Sequence, residues 1–143
     1  MHVQPLTPPV PRDVAAFFER YRDAFNALDG TAIADLYAEP SGIAQGGTYT
    51  HWPNRTPMRE NMNALCSLYR DKGYRHAAFE IGYFVAQSSQ YAIADLRWRI
   101  ERLQSEPWSF NTTYNLVRTE QGWKILLCTA YEEDKLHQAH GAA

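Results

Sequence analysis

The second half of this sequence constrains the fold more than any other part. Four runs, about 75–86, 91–103, 108–119 and 123–131, alternate side-chain character with a period of two. That is the repeat of a β-strand, whose successive side chains face opposite ways. Only short turns separate the runs, and short turns return a chain antiparallel. In the clearest run, Ala92, Ala94, Leu96, Trp98 and Ile100 share one face. Tyr91, Ile93, Asp95, Arg97, Arg99 and Glu101 share the other.

The turns predict how these strands align. A hairpin at Ser88-Ser89 pairs Phe79 with Trp98, Ile81 with Leu96 and Tyr83 with Ala94. A turn at 104–106 pairs Leu96 with Tyr114, Trp98 with Thr112 and Ile100 with Phe110. A tight turn at Gln121-Gly122 pairs Tyr114 with Thr129 and Leu116 with Leu127. These registers gather the large apolar residues, Leu127 and Tyr131 among them, on one face. The other face collects Glu80 beside Arg97 and Thr113, Asp95 beside Asn115 and Cys128, and Arg99 beside Asn111. Because a slip of one residue exchanges the two faces, the agreement of three turns supports the assignment. Asp95, Arg97 and Arg99 are therefore expected to form a cross-strand network on the outside of the sheet.

Helices occupy the first half. Val14, Phe17, Phe18, Tyr21, Phe25 and Leu28 recur at three- and four-residue spacing, one stripe of a helix beginning at Asp13. Asp29-Gly30 is expected to end it, and Thr31 to cap a short helix carrying Ile33, Leu36 and Tyr37 up to Pro40. Residues 41–55, with Gly42, Gly46 and Gly47, fit a short hairpin or strand pair. Thr56-Pro57 opens a further helix that buries Met58, Met62, Leu65, Cys66 and Tyr69 and closes at Lys72-Gly73. Helices followed by a long meander make an α+β domain: a curved antiparallel sheet wrapped around a long N-terminal helix, in the order α-α-β-α-β-β-β-β. The division is a Pro-rich arm at 1–12, one domain at 13–134 and a tail at 135–143.

Composition narrows the class. A chain of 143 residues is long enough for one buried core. A net charge of −2 gives no electrostatic reason for a nucleic-acid partner. No apolar run approaches the roughly 18 residues of a membrane span, and residues 1–12 lack the apolar stretch of a signal peptide. Cys66 and Cys128 are expected to be buried free thiols of a cytoplasmic protein. No His, Cys and carboxylate set has metal-ligand spacing, and there is no phosphate loop or nucleophile elbow, so no metal or cofactor is expected.

Three segments together carry a family resemblance: Phe18 to Tyr37 (FERYRDAFNALDGTAIADLY), the helix opened by Thr56-Pro57, and Gln121-Gly122-Trp123-Lys124-Ile125. In them the chain resembles the nuclear-transport-factor-2-like (cystatin-like α+β cone) superfamily, particularly its SnoaL-like branch. The resemblance implies a cone with a pocket at its open end and a homodimer joined through the sheet. It also implies that the relatives divide between enzymes (isomerases, dehydratases, epoxide hydrolases, polyketide cyclases) and binding proteins.

Three residues are candidates for catalysis: His51, Asp95 and Tyr21. His51 stands beside Trp52 in a segment expected to border the pocket mouth and carries an imidazole, the side chain most often used for acid–base work. By the resemblance, Tyr21 lies where ketosteroid isomerases carry an oxyanion-binding tyrosine. Asp95 and Arg97 are two apart, as an Asp and Arg are in epoxide hydrolases of this fold, but in reverse order. Tyr21, Tyr37, Trp52, Trp98, Thr112, Tyr114 and Thr129 are expected to line the pocket, and such a wall suits a small neutral hydrophobic molecule. The alternatives are a SnoaL-like isomerase, dehydratase or hydrolase, and a dimeric interaction module acting through the outer sheet face.

Overall fold

The computed structural model describes residues 9–131. The expected tail and residues 1–8 of the expected arm lie outside the described residues, and Arg12, the arm's last residue, already belongs to the first helix. Helix α1, Arg12–Asn26, turns its Val14, Phe17, Phe18 and Tyr21 stripe inward. Val14, Phe17 and Phe18 are fully buried, each phenylalanine contributing about 1.5–3 kcal/mol through that burial. A short α2, Gly30–Ala34, follows. Then come β1, Tyr37–Gln45, and β2, Thr48–Trp52. Helix α3 spans Arg55–Asp71. The meander is β3, Tyr74–Ala86; β4, Tyr91–Arg102; β5, Ser105–Thr119; and β6, Gly122–Tyr131.

The six strands form one sheet in the order β2-β1-β6-β5-β4-β3. It curls around α1: Phe18 packs on Phe79 of β3 and Tyr114 of β5, and Tyr21 packs on Trp98 of β4. This is the expected α+β cone, with 41–55 resolved into two strands. The sheet is mixed, because β1 runs parallel to β6. The meander alone could not reveal this pairing, since it joins strands separated by all the elements between.

Several boundaries differ from expectation. The chain leaves α1 with a positive φ of 51° at Leu28, not at a glycine. Asp29, rather than Thr31, caps α2, its carboxylate accepting from the Ala32 N–H at 3.1 Å. Gly30 is used for close approach. A Cβ there would stand 2.1 Å from Asn63 Oδ1 and 2.6 Å from Asn63 N, so glycine lets α2 lie directly on α3. Tyr37 begins a strand, not the end of a helix, and β1 continues through Pro40. Asn54 caps α3 by accepting from the Thr56 N–H, placing the helix start slightly before Thr56-Pro57.

The registers keep the expected parity through the middle of β3, β4 and β5, with shifts at Gly82 and Leu126 that exchange faces and further ones near Tyr74 and Arg102. Phe79 meets Trp98 and Ile81 meets Leu96 as predicted, but a shift at Gly82 then sets Tyr83 opposite Asp95 and Phe84 opposite Ala94. Tyr83 faces outward and Phe84 is buried instead. Across β4 and β5 the pairing is two residues from expectation, Leu96 meeting Thr112 and Trp98 meeting Phe110. A two-residue shift preserves the faces. Between β5 and β6 the shift is one residue: Leu116 pairs with Ile125 and Asn115 with Leu127, leaving Leu126 as the extra residue. Beyond that bulge, Leu127, Thr129 and Tyr131 move to the outer face and Cys128 turns inward, opposite to prediction.

Candidate functional site

Between α1, α3 and the concave face of the sheet lies a cavity of about 390 Å³. Its mouth is bordered by Gln45, Gly46, Thr48 and Thr50 of the β1–β2 hairpin and Asn61 of α3. Its inner wall is aromatic. α1 supplies Tyr21 and Phe25, the start of β1 supplies Tyr37, and β4 supplies Trp98. β5 adds Phe110, Thr112 and Tyr114, α3 adds Tyr69, and β6 adds Cys128. Strand alternation delivers these side chains: Thr48, Thr50 and Trp52 face in while Tyr49 and His51 face away.

Six of the expected lining residues are on this wall: Tyr21, Tyr37, Trp52, Trp98, Thr112 and Tyr114. Thr129 is not. It pairs with Thr113 on the other face, and Cys128 and Ala130 line the cavity in its place. The bulge at Leu126 is the reason. Cys128 lines the cavity for the same reason, where the registers predict the outer face, and the sequence carries a signal of this. Ile125-Leu126-Leu127-Cys128 is apolar throughout, so alternation fixes no parity across it.

The wall's polar atoms are joined. The Tyr21 and Tyr37 hydroxyls are 2.7 Å apart and buried. The indole N–H of Trp98 donates to the Tyr114 hydroxyl oxygen at 3.0 Å. Thr112 and Tyr21 act on the Tyr114 hydroxyl as well, and Cys128 lies beside that of Tyr37. Burial drives the phenol of Tyr21 well above its ordinary pKa, and Tyr37 and Cys128 nearby raise it further. Burial does the same to Tyr37, with Cys128 and Tyr114 adding to it. Tyr114 is raised by burial and then by Tyr21 and Cys128. All three therefore remain protonated at neutral pH and act as hydrogen-bond donors, not bases. Among the described residues lining the cavity there is no Asp, Glu, His, Lys or Arg.

The other catalytic candidates lie elsewhere. His51 is exposed on the outward side of β2, its Nδ1 3.3 Å from the Tyr49 hydroxyl. The expectation that it borders the mouth fails by parity, because its neighbours Thr50 and Trp52 take the inward positions. Asp95 is on the outer sheet face as the registers predict, though its partners differ from those expected. Its Oδ1 accepts from Thr113 Oγ1 at 2.8 Å and from the Tyr131 hydroxyl at 2.5 Å. The bond to Asp95, and then partial burial, raises the Tyr131 pKa. Arg97 faces Glu80 at 3.8 Å, fully in the solvent-exposed region of that face. The described residues hold no group of three potential metal ligands. No helix among them is long and apolar enough to cross a membrane.

Residues 12–133 match the family model for an NTF2-like protein (DUF6841). No curated protein matches the sequence. Among solved structures, an NTF-2-like protein of unknown function from Shewanella oneidensis is similar at 20% identity and a TM-score of 0.68, covering 82% of this chain and 95% of that one. A cystatin-like-fold domain from Nostoc punctiforme is similar at 19% identity and a TM-score of 0.67, over 94% of this chain and 85% of that one. A ketosteroid-isomerase-like protein from Erwinia carotovora atroseptica shares 15% identity with a TM-score of 0.63, over 82% and 91%. At these identities the likeness extends to the fold.

Proposed function

The chain belongs to the NTF2-like family of DUF6841, and on that premise we propose that it binds a neutral, largely apolar small molecule inside the cone. The observation that carries this reading is the aromatic cavity, which is free of charged side chains among the described residues. Its volume of about 390 Å³ falls in the range of small-molecule sites, roughly 300–1,000 Å³. A charged ligand entering it would shed water without meeting a counter-charge, at a cost of several kcal/mol. A ring system would keep its apolar contacts with Phe25, Tyr69, Trp98 and Phe110.

The same wall argues against the isomerase, dehydratase or hydrolase alternative. Proton abstraction needs a base at the substrate. Asp95 and His51 both face away from the cavity, and its tyrosines hold their protons. A thermal-shift screen of steroids, polyketides and terpenoids, each beside a charged analogue, tests the reading. Neutral members should raise the melting temperature and charged ones should not; stabilisation by charged ligands alone, or by none, would overturn it.

A homodimer through the outer sheet face is proposed on a separate observation. Tyr83, Val85 and Tyr91 expose 40%, 46% and 45% of their surface there, an apolar group on adjoining strands. Sedimentation should give a dimer that Val85→Lys weakens, and a monomer at high concentration would refute it. Two buried free thiols, Cys66 and Cys128, support residence in a reducing compartment such as the cytoplasm.

A further inference from the structure

The inner wall of the cavity has a direction. Trp98 offers only an N–H, so its bond to Tyr114 can run one way, from indole to phenol oxygen. With that oxygen accepting from Trp98 and from the Thr112 hydroxyl, the Tyr114 O–H is turned toward Tyr21. The Tyr21 O–H then serves the 2.7 Å bond to Tyr37, and the Tyr37 O–H is left over, with the Cys128 sulfur beside it on the cavity wall. Sulfur is a weak acceptor, so the final proton of the chain is poorly held. Each earlier bond polarises the next, which makes the Tyr37 hydroxyl a stronger donor than an isolated phenol. A second observation has the same sign. The Trp52 indole N–H, on the same cavity and shielded from solvent, meets no acceptor among the described residues. The wall is short of acceptors.

We propose that the cavity selects for a hydrogen-bond acceptor: a neutral ligand bearing a carbonyl or similar oxygen takes the last proton of the chain Trp98→Tyr114→Tyr21→Tyr37 in place of Cys128. The inference deepens the binding reading above and rests on it. It names the ligand class as acceptor-bearing ring compounds, and it makes Tyr37 and Cys128 residues that determine specificity. A ligand that only donates, such as an indole-type N–H, would compete with protons already directed toward it. The polar side chains at the mouth, Gln45, Thr48 and Asn61, include groups that both donate and accept, so discrimination arises at the inner end.

The test uses three probes of one shape: 9-fluorenone with a carbonyl, carbazole with an N–H, and fluorene with neither. Binding is followed by calorimetry and by quenching of the cavity tryptophans. Fluorenone should bind about tenfold more tightly than the other two, the worth of one well-placed buried hydrogen bond. Tyr37→Phe should remove the fluorenone advantage, so that the ratio of its affinity to that of fluorene falls to about one. Cys128→Ser, which places a better acceptor at the end of the chain, should shrink the fluorenone advantage, and Cys128→Ala should preserve or enlarge it. Equal binding of all three probes, or a preference that survives Tyr37→Phe, would overturn acceptor selection while leaving cavity binding intact. If none of the three binds, the binding reading itself falls, and this inference with it.

Discussion

Asn26 closes the free edge of the sheet, and replacing it should be among the costliest single changes outside the core. It is the last residue of α1, and β3 is an edge strand. The Asn26 Nδ2 donates to the Ala77 carbonyl at 3.2 Å, and its Oδ1 accepts from the Ala77 N–H at 2.8 Å and from the Tyr74 hydroxyl at 2.6 Å. One amide thus satisfies both backbone groups of a residue only 2% exposed, while tying the helix to the strand. Asn26→Ala leaves that N–H and C=O without partners, each costing about 1–3 kcal/mol when shielded from water. The site is part-buried, so the lower end applies, and the lost Tyr74 bond adds about 1 kcal/mol. Alanine's better helix propensity returns roughly 0.6 kcal/mol. The expected net loss is about 2.5 kcal/mol, or roughly 10 °C in melting temperature for a chain of this size. Urea unfolding followed by tryptophan fluorescence measures it. Asn26→Asp separates the donor from the acceptors, since it keeps Oδ1 but sets a carboxylate oxygen against the Ala77 carbonyl. Tyr74→Phe should cost about 1 kcal/mol alone and little more in the Asn26→Ala background. A loss below about 1 kcal/mol for Asn26→Ala, or an Asp variant as stable as the parent, would refute the reasoning.

Three further changes probe other parts of the molecule. Gly30→Ala drives a Cβ into the Asn63 backbone and should cost at least about 2 kcal/mol by urea unfolding, with no change in helix content by circular dichroism. Tyr114→Phe strands the buried Trp98 N–H and should cost roughly 1–3 kcal/mol, seen also as a shift in tryptophan emission. Asp13 gives a pH dependence. Burial pushes its carboxyl pKa up, but hydrogen bonds from Trp123 and Arg118, the Arg118 charge and the Val14 N–H together outweigh that and hold it below 3.8. A lowered folded pKa means that its stabilisation is present above 3.8 and is lost as pH falls through the folded value. Unfolding midpoints of the parent and Asp13→Asn should therefore differ at neutral pH and converge in acid. A gap that persists at the lowest pH at which the parent folds would count against the assignment.

Much of the fold and part of the cavity wall were legible in the amino-acid order. The stripe through Val14, Phe17, Phe18 and Tyr21 leaves a helix one way to bury itself. The alternation of Ala94, Leu96 and Trp98 gives β4 one buried face. Those two periodicities together select the aromatic wall, because residues that share a face must share the space before it. The outward direction of Asp95 follows from the same rule and removes the most conspicuous carboxylate from the cavity. The direction of His51 is not legible in the same way, because residues 41–55 show no clear period of their own.

Local pattern decided the helices, the strands and six of the seven wall residues expected from it, because each of these depends on a repeat that the sequence displays directly. Tertiary structure alone decided the exceptions. The extra residues at Gly82 and Leu126 arise where neighbouring strands twist out of step, and a bulge reverses every side chain beyond it without leaving a period to read. That reversal brings Cys128 to the end of the hydroxyl chain and sends Thr129 outside. The parallel pairing of β1 with β6 likewise depends on where the closed cone brings two distant segments together, and it sets Tyr37 beside Tyr21 and Cys128.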